Sequence, residues 1–307
     1  PGMYQVVGND PGDPDRPNPR YNPNYQSLRL VFDVWPGKTT YADVAVFPLA
    51  PVGIAAAGLL EASAVDAPGR PEIHRVDRVV IEPGGERTVR VYGKDFGAEA
   101  GRVYLDDTSA PVRAWSETEI AFTVPFMPGG PKQLSVRRAD GRTTAVGLTL
   151  HLLGGAYRPP VIRVPEEAAT IQAAVDAAAP GSLIVVAPGT YYENPIIHKN
   201  VKLQGMGASA TVIDGRFFQS YREAWRARLA GIDFDGPEMA PPVRVRMVGE
   251  GQTITVVARA GAFGRAFRTQ IDGFTISGAR GQSGGGIYLH AHCAHLMISN
   301  NIVRENG

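Results

Sequence analysis

An all-β protein is predicted from three observations on the sequence. Short runs rich in Val, Ile, Thr and Tyr recur along the chain, each bounded by turn residues. Gly (36 residues) and Pro (25) are abundant, while charged residues make up only 20% of the 307, a balance that favours turns over long solvated helices. The last third strings short strands in tandem with Gly and Asn turns, the pattern of a solenoid whose repeats bury their apolar faces only against one another. The length suits two or three modules.

Residues 1–52 read as the C-terminal strands of a partial β-sandwich. GMYQVVG and SLRLVFDVW alternate as strands, and PGKTTYADVAVFPL is a turn followed by a third. Between the first two lies NDPGDPDRPNPRYNPN, with prolines at 11, 14, 17, 19 and 23, which reads as an exposed loop. The order of these strands resembles the end of the transthyretin-like, carboxypeptidase-regulatory-like sandwiches of secreted bacterial proteins. Residues 53–72 read as a linker.

Residues 73–152 hold five strand-like runs separated by turns, the signature of a small β-sandwich. The opening PEIHRVDRVVIEPGG, the run from Val91 to Gly97 and the later WSETEI and FTVP resemble the IPT/TIG immunoglobulin-like domain. In that reading Gly93 and Gly97 permit a bend around Phe96, whose ring fills the core. The resemblance implies a spacer or interaction module on an extracellular protein. Residues 153–160 read as a second linker.

From residue 161 to 307 the chain reads as the start of a parallel β-helix. Ile171, Ala174, Val175 and Ala178 lie at helical spacing, and Pro180-Gly181 ends the helix. Short strands follow, and IDGFTI and ISNNIV, beginning at Ile271 and Ile298, are about one coil apart. Asn300, Asn301 and Asn306 suit turns, one of them stacking inward between coils. The run ATIQAAVDAAAPGSLIVVAPGTYYEN resembles the N-terminal cap and first coils of right-handed parallel β-helices of the pectin-lyase-like group. The helix then covers the open end of the stack. An excursion at 215–242 interrupts the repeat and contains a candidate helix, SYREAWRARLAG.

The net charge of +1 gives no electrostatic case for nucleic acid or an anionic membrane surface, and no apolar run is long enough for membrane insertion. One cysteine excludes an internal disulfide framework without excluding secretion. The chain opens in mid-strand and closes in mid-repeat. It is therefore expected to be a segment of a longer polypeptide, extracellular or at a cell surface, with that polypeptide's flanking domains as covalent partners.

Three functional readings follow. The first is a non-catalytic adhesion, scaffold or glycan-binding segment, with a polysaccharide or cell-surface glycan as partner. Tyr191, Tyr192, Tyr221 and Trp225, with Phe217 and Phe218 nearby, are its candidate sugar-stacking residues, because an aromatic ring joins an apolar face to a polar edge. The second is a polysaccharide lyase or esterase. Asp233 and Asp235 point to one side if extended, and would serve as catalytic carboxylates or as calcium ligands. Arg222, Arg226, Arg228, Arg244 and Arg246 nearby would suit an acidic glycan. The third is a transition metal, copper or zinc, at HAHCAH. His290 and His292 would share a strand face there, with Cys293 and His295 close by. A multicopper oxidase centre is excluded on count, since the chain has six histidines and such centres need about ten. The plain alternative is a strand, a corner and the next strand, with Cys293 a small buried residue. No cofactor is required by any complete motif.

Overall fold

The computed structural model describes residues 2–8, 12–13, 16–19, 28–34, 69–234, 250–280, 285–290 and 292–306. The chain divides into two units, Pro1–Ala67 and Pro68–Gly307. Those described residues are mostly β, with two helices.

In the first unit, β1 (Gly2–Gly8), β2 (Gly12–Asp13), β3 (Arg16–Pro17) and β4 (Leu28–Val34) form two antiparallel pairs, β1 with β4 and β2 with β3. The proline-rich stretch expected as a loop thus contains one short pair. The third strand expected within 36–49 and most of the expected linker lie outside the described residues.

The second unit begins with a two-sheet sandwich. Its strands are β5 (Glu72–Val76), β6 (Val80–Ile81), β7 (Thr88–Lys94), β8 (Arg102–Leu105), β9 (Thr108–Ala110), β10 (Val112–Trp115), β11 (Glu119–Thr123), β12 (Gly130–Arg137) and β13 (Leu148–Leu152). One sheet runs β10-β11-β7-β5 and the other β6-β13-β12-β8-β9. Alternation along the strands sends Val89, Val91, Val103, Leu105, Ile120, Phe122, Leu134 and Val136 inward. Phe96 is fully buried among them and packs on Trp115, with ring centroids 6.2 Å apart. A Cβ at Gly93 would sit 1.9 Å from the Glu72 carbonyl oxygen, and Gly97 has φ +85°, so both positions of the bend need glycine.

The remainder is built from β14 (Val161–Val164), α1 (Ile171–Ala177), β15 (Leu183–Val186), β16 (Gly189–Tyr191), β17 (Ile196–Ile197), β18 (Lys202–Gly205), β19 (Thr211–Asp214), α2 (Phe218–Gly231), β20 (Ile254–Val257), β21 (Gln270–Asp272), β22 (Thr275–Ser277), β23 (Ile287–His290), β24 (Met297–Ser299) and β25 (Ile302–Val303). From β15 on, each circuit of the chain adds one strand to each of three sheets in turn. The sheets are β14-β15-β18-β21-β24, β16-β19-β22-β25 and β17-β20-β23, all parallel. Register stacks like on like: Ile184, Leu203, Ile271 and Ile298 in the first sheet. Tyr191, Ile213, Ile276 and Val303 align in the second, and Ile197, Val256 and Leu289 in the third. Interior members are buried and contribute about 1.5–3 kcal/mol each. The final members, Leu289, Ile298 and Val303, are exposed.

Helix α1 forms because Thr170 Oγ1 accepts from Ala173 N at 3.0 Å, while the Glu193 carboxylate accepts from Ile171 N and Gln172 N. It buries Ile171, Ala174 and Val175 against the first circuit. Corners are closed by asparagine. Asn301 accepts from Phe274 N and donates to Ile271 O, and Asn306 accepts from Ala279 N and donates to Ile276 O, each bridging to the circuit before it. Asn300 turns the chain at φ +54°, so ISNNIV is two short strands around a corner rather than one.

Sandwich and stacked circuits meet in a polar joint. Val76 N donates to Met206 O at 3.0 Å, and a Cβ at Gly207 would strike His74 O at 2.3 Å. The buried Asp272 carboxylate accepts from Thr149 N, Thr149 Oγ1, Gln204 Nε2, Gln270 Nε2, Ser299 Oγ and Asn300 Nδ2, at 2.6–3.3 Å. His151 lies between Gln204 Oε1 at 2.9 Å and Tyr157 Oη at 2.7 Å. The stretch expected as a linker, 153–160, is part of this joint: Gly154 and Tyr157 bridge, and the Tyr157 ring stacks between His151 and Phe267.

Candidate functional site

Where β16 ends, Tyr191 and Tyr192 face opposite ways, as adjacent strand residues must. Tyr191 points in, packs on the core of the stacked circuits and donates its hydroxyl to Ala187 O at 3.0 Å. Tyr192 points out and is 49% exposed. Phe217, 51% exposed, meets it edge-on with ring centroids 5.1 Å apart. The Arg216 guanidinium lies 5.7 Å from the Tyr192 ring centroid. The result is a small surface of two aromatic rings and one fork of N–H donors.

Asp214, buried at the end of β19, fixes this surface. Its Oδ1 accepts from Arg216 N at 3.0 Å, and its Oδ2 accepts from Arg216 Nε at 2.7 Å and also meets Arg216 Nη2. Gly278, at φ +76°, leaves the room this carboxylate needs; a Cβ there would stand 2.1 Å from Asp214 Oδ1. Behind the surface, Tyr221 Oη donates to Asn194 Oδ1, and Asn194 Nδ2 donates to Gln252 O at 2.6 Å. Burial raises the Tyr221 phenol above its ordinary range, so it stays protonated.

Of the four aromatics expected to stack sugars, the structure leaves Tyr192 at the surface. Trp225 is only 4% exposed and packs with Phe218, Leu229 and Phe234 under α2. Tyr221 packs against the same cluster, and Tyr191 belongs to the interior. The helix runs Phe218–Gly231, beginning before the stretch expected and kinked at Tyr221. The arginines of the excursion are also committed. Arg222 and Arg226 both pair with Glu250, and Arg228 pairs with Asp176. Arg244 and Arg246 lie outside the described residues.

Only one member of the candidate catalytic pair falls within the described residues. Asp233 pairs with Arg259 at 3.3 Å, and Asp235 lies outside the described residues. At the histidine cluster, His290 ends β23 with its ring 5.5 Å from that of Phe234. His292 and His295 occupy corner positions with φ +29° and +63°. Cys293 is part-buried, its thiol donating to His290 O at 3.3 Å, and burial pushes its pKa up to about 11. Among the described residues, no three or more His, Cys, Asp or Glu side chains converge as a metal site. No helix among them is long and apolar enough to cross a membrane.

Arg216 and Asp214 escaped the sequence reading. Their signal is the D-G-R-F-F run immediately after a predicted strand, where a buried carboxylate can hold an arginine two residues on.

Comparison with known proteins finds partial matches. A cyclomaltodextrin glucanotransferase of Bacillus sp. (strain 1-1) is 45% identical over 49 residues, 16% of this chain and 7% of that protein. The same enzyme from Bacillus sp. (strain 17-1) is 30% identical over 88 residues, 28% of this chain and 12% of that protein. The chain thus spans only a small part of the length of these curated relatives. The crystal structure of the gamma-cyclodextrin glucanotransferase of alkalophilic Bacillus clarkii matches 31% of this chain and 14% of that one at 34% identity, with a TM-score of 0.26. Residues 71–151, the sandwich of the second unit, match the family model of the IPT/TIG domain.

Proposed function

We propose that this chain is a non-catalytic, polysaccharide-binding segment of a larger extracellular or cell-surface protein. In this reading the IPT/TIG domain props a right-handed parallel β-helix of the pectin-lyase-like kind, capped by α1. The Tyr192–Arg216–Phe217 surface on that helix contacts the glycan. The observation that carries the reading is the half-exposed aromatic pair beside an arginine that the buried Asp214 holds in place. Sugar rings stack on such faces, and a fixed arginine donates to their hydroxyls. The three parallel sheets support the β-helix part, and the α-glucan-acting names of the relatives support carbohydrate as the partner class.

Affinity electrophoresis in gels containing soluble starch or pectin tests this. The expected result is retardation of the wild-type protein by at least one polysaccharide, lost in the Tyr192→Ala/Phe217→Ala double variant. An unretarded wild type, or a double variant retarded equally, would overturn it.

A further inference from the structure

The outer face of the β6-β13-β12-β8-β9 sheet is covered by the joint only in part. Gln133, Thr149 and His151 contact the stacked circuits. Toward the far edge, Arg102 on β8 stands directly opposite Arg137 on β12. Both are exposed, and they alternate with the buried Val103 and Val136, so they share the outer face. Like charges directly opposed across an antiparallel pair repel. Among the described residues, neither guanidinium makes a hydrogen bond or ion pair.

These arginines line an open groove of about 440 Å³. Tyr104, two residues along β8, provides a ring on the same side, and Arg138 and Glu99 complete the walls. Arg138 is already engaged, donating to Gly69 O at 2.9 Å and Asp95 O at 2.8 Å and pairing with Asp140. Glu99 forms an ion pair with neither Arg102 nor Arg137. The backbones beneath approach closely: a Cβ at Gly101 would meet Arg137 O at 2.1 Å, so the start of β8 lies directly against the end of β12. Two cations therefore face one groove without an ion-pair partner.

We infer that this groove binds an oxyanion on a saccharide, with Arg102 and Arg137 bracketing one carboxylate or phosphate group and the Tyr104 ring flanking the sugar that bears it. A planar guanidinium fork matches both anions, and bound charge relieves the repulsion between the two arginines. The site lies on the sandwich and is separate from the Tyr192 surface, so it extends the proposed function to acidic glycans.

Isothermal titration at low ionic strength tests it with three probes: oligogalacturonate for the carboxylate, glucose 1-phosphate for the phosphate, and a neutral maltooligosaccharide. Binding of an anionic probe is expected to weaken about tenfold or more in Arg102→Gln and in Arg137→Gln, and to fall with added salt. Arg113→Gln, on the other sheet, leaves it unchanged. The thermal midpoint of Arg102→Gln holds or rises, because a like-charge pair has been removed. The tighter anionic probe identifies the group recognised. Failure of both anionic probes on the wild type, intact binding in both arginine variants, or an equal loss in Arg113→Gln overturns the inference. Loss of maltooligosaccharide binding in Tyr192→Ala alone concerns the other surface.

Discussion

Replacing Asp272 by alanine should unlock the joint between sandwich and stacked circuits. The carboxylate accepts from six donors, two of them on Thr149 of the sandwich. Without it, the Thr149 backbone N–H is buried with no acceptor, which costs about 1–3 kcal/mol, and several hydrogen bonds to a charged group are lost. The other donors are partly compensated, since Gln204 Nε2 also donates to Gly205 O and Asn300 Nδ2 to Gln133 Oε1. The net loss is expected at about 3–5 kcal/mol. Asp272→Asn should cost less, because its NH₂ can face the Thr149 and Ser299 hydroxyls, which rotate to accept, while the Asn300 and Gln270 amides lose their acceptor at that position. Urea unfolding followed by tryptophan fluorescence is the assay, because Trp115 reports the sandwich and Trp225 the circuits, with Trp35 replaced by Phe. In the parent the two transitions coincide, and in Asp272→Ala they separate. A double-mutant cycle with Thr149→Val should show a coupling of about 1–2 kcal/mol. A loss under 1 kcal/mol with coincident transitions, or additivity of the two substitutions, would refute the reasoning.

Acid should weaken the same joint through His151. Burial holds its folded pKa at about 4, against 6.5 in the unfolded chain, so the unfolded state binds more protons between those values. The contribution is complete above about pH 6.5, and about 3 kcal/mol is lost as pH falls through 4; urea midpoints at pH 7, 5.5 and 4 will show it, and His151→Gln should flatten the slope. Along one ladder of the stack, Ile271→Ala should cost about 2–5 kcal/mol while Ile298→Ala costs well under half of that, because Ile271 is fully buried and Ile298 is 43% exposed. Thermal melts of the two variants check the contrast.

The parts of the fold legible in the sequence are those specified locally or by repetition. The IPT/TIG-like run around Phe96 carries its own glycines, and the spacing of Ile271 and Ile298 is one rung of a ladder in register. The joint was illegible for a physical reason. Thr149, His151, Gln204 and Asp272 are polar residues in strands, which normally face water, and Asp272 meets Thr149 across 123 residues of sequence. The aromatics of the excursion went astray differently. Phe218, Trp225 and Leu229 recur at helical spacing, a stripe that marks a buried helix face, yet stacking chemistry and core packing draw on the same side chains. Tyr192 was separable from Tyr191 only by strand parity, which needs the strand's true end.

After Asp214 the chain leaves the stack for α2, and it re-enters at Ile254 with the ladders unshifted: Ile197 stands beside Val256, and Ile213 beside Ile276. Inserted length at this corner therefore leaves the register of the rungs intact. The rungs keep their register across this corner, and the helix it carries covers Ile196 and Val257 from outside. Changing α2 therefore changes the outer wall of the third sheet as well, so insertion and framework must vary together.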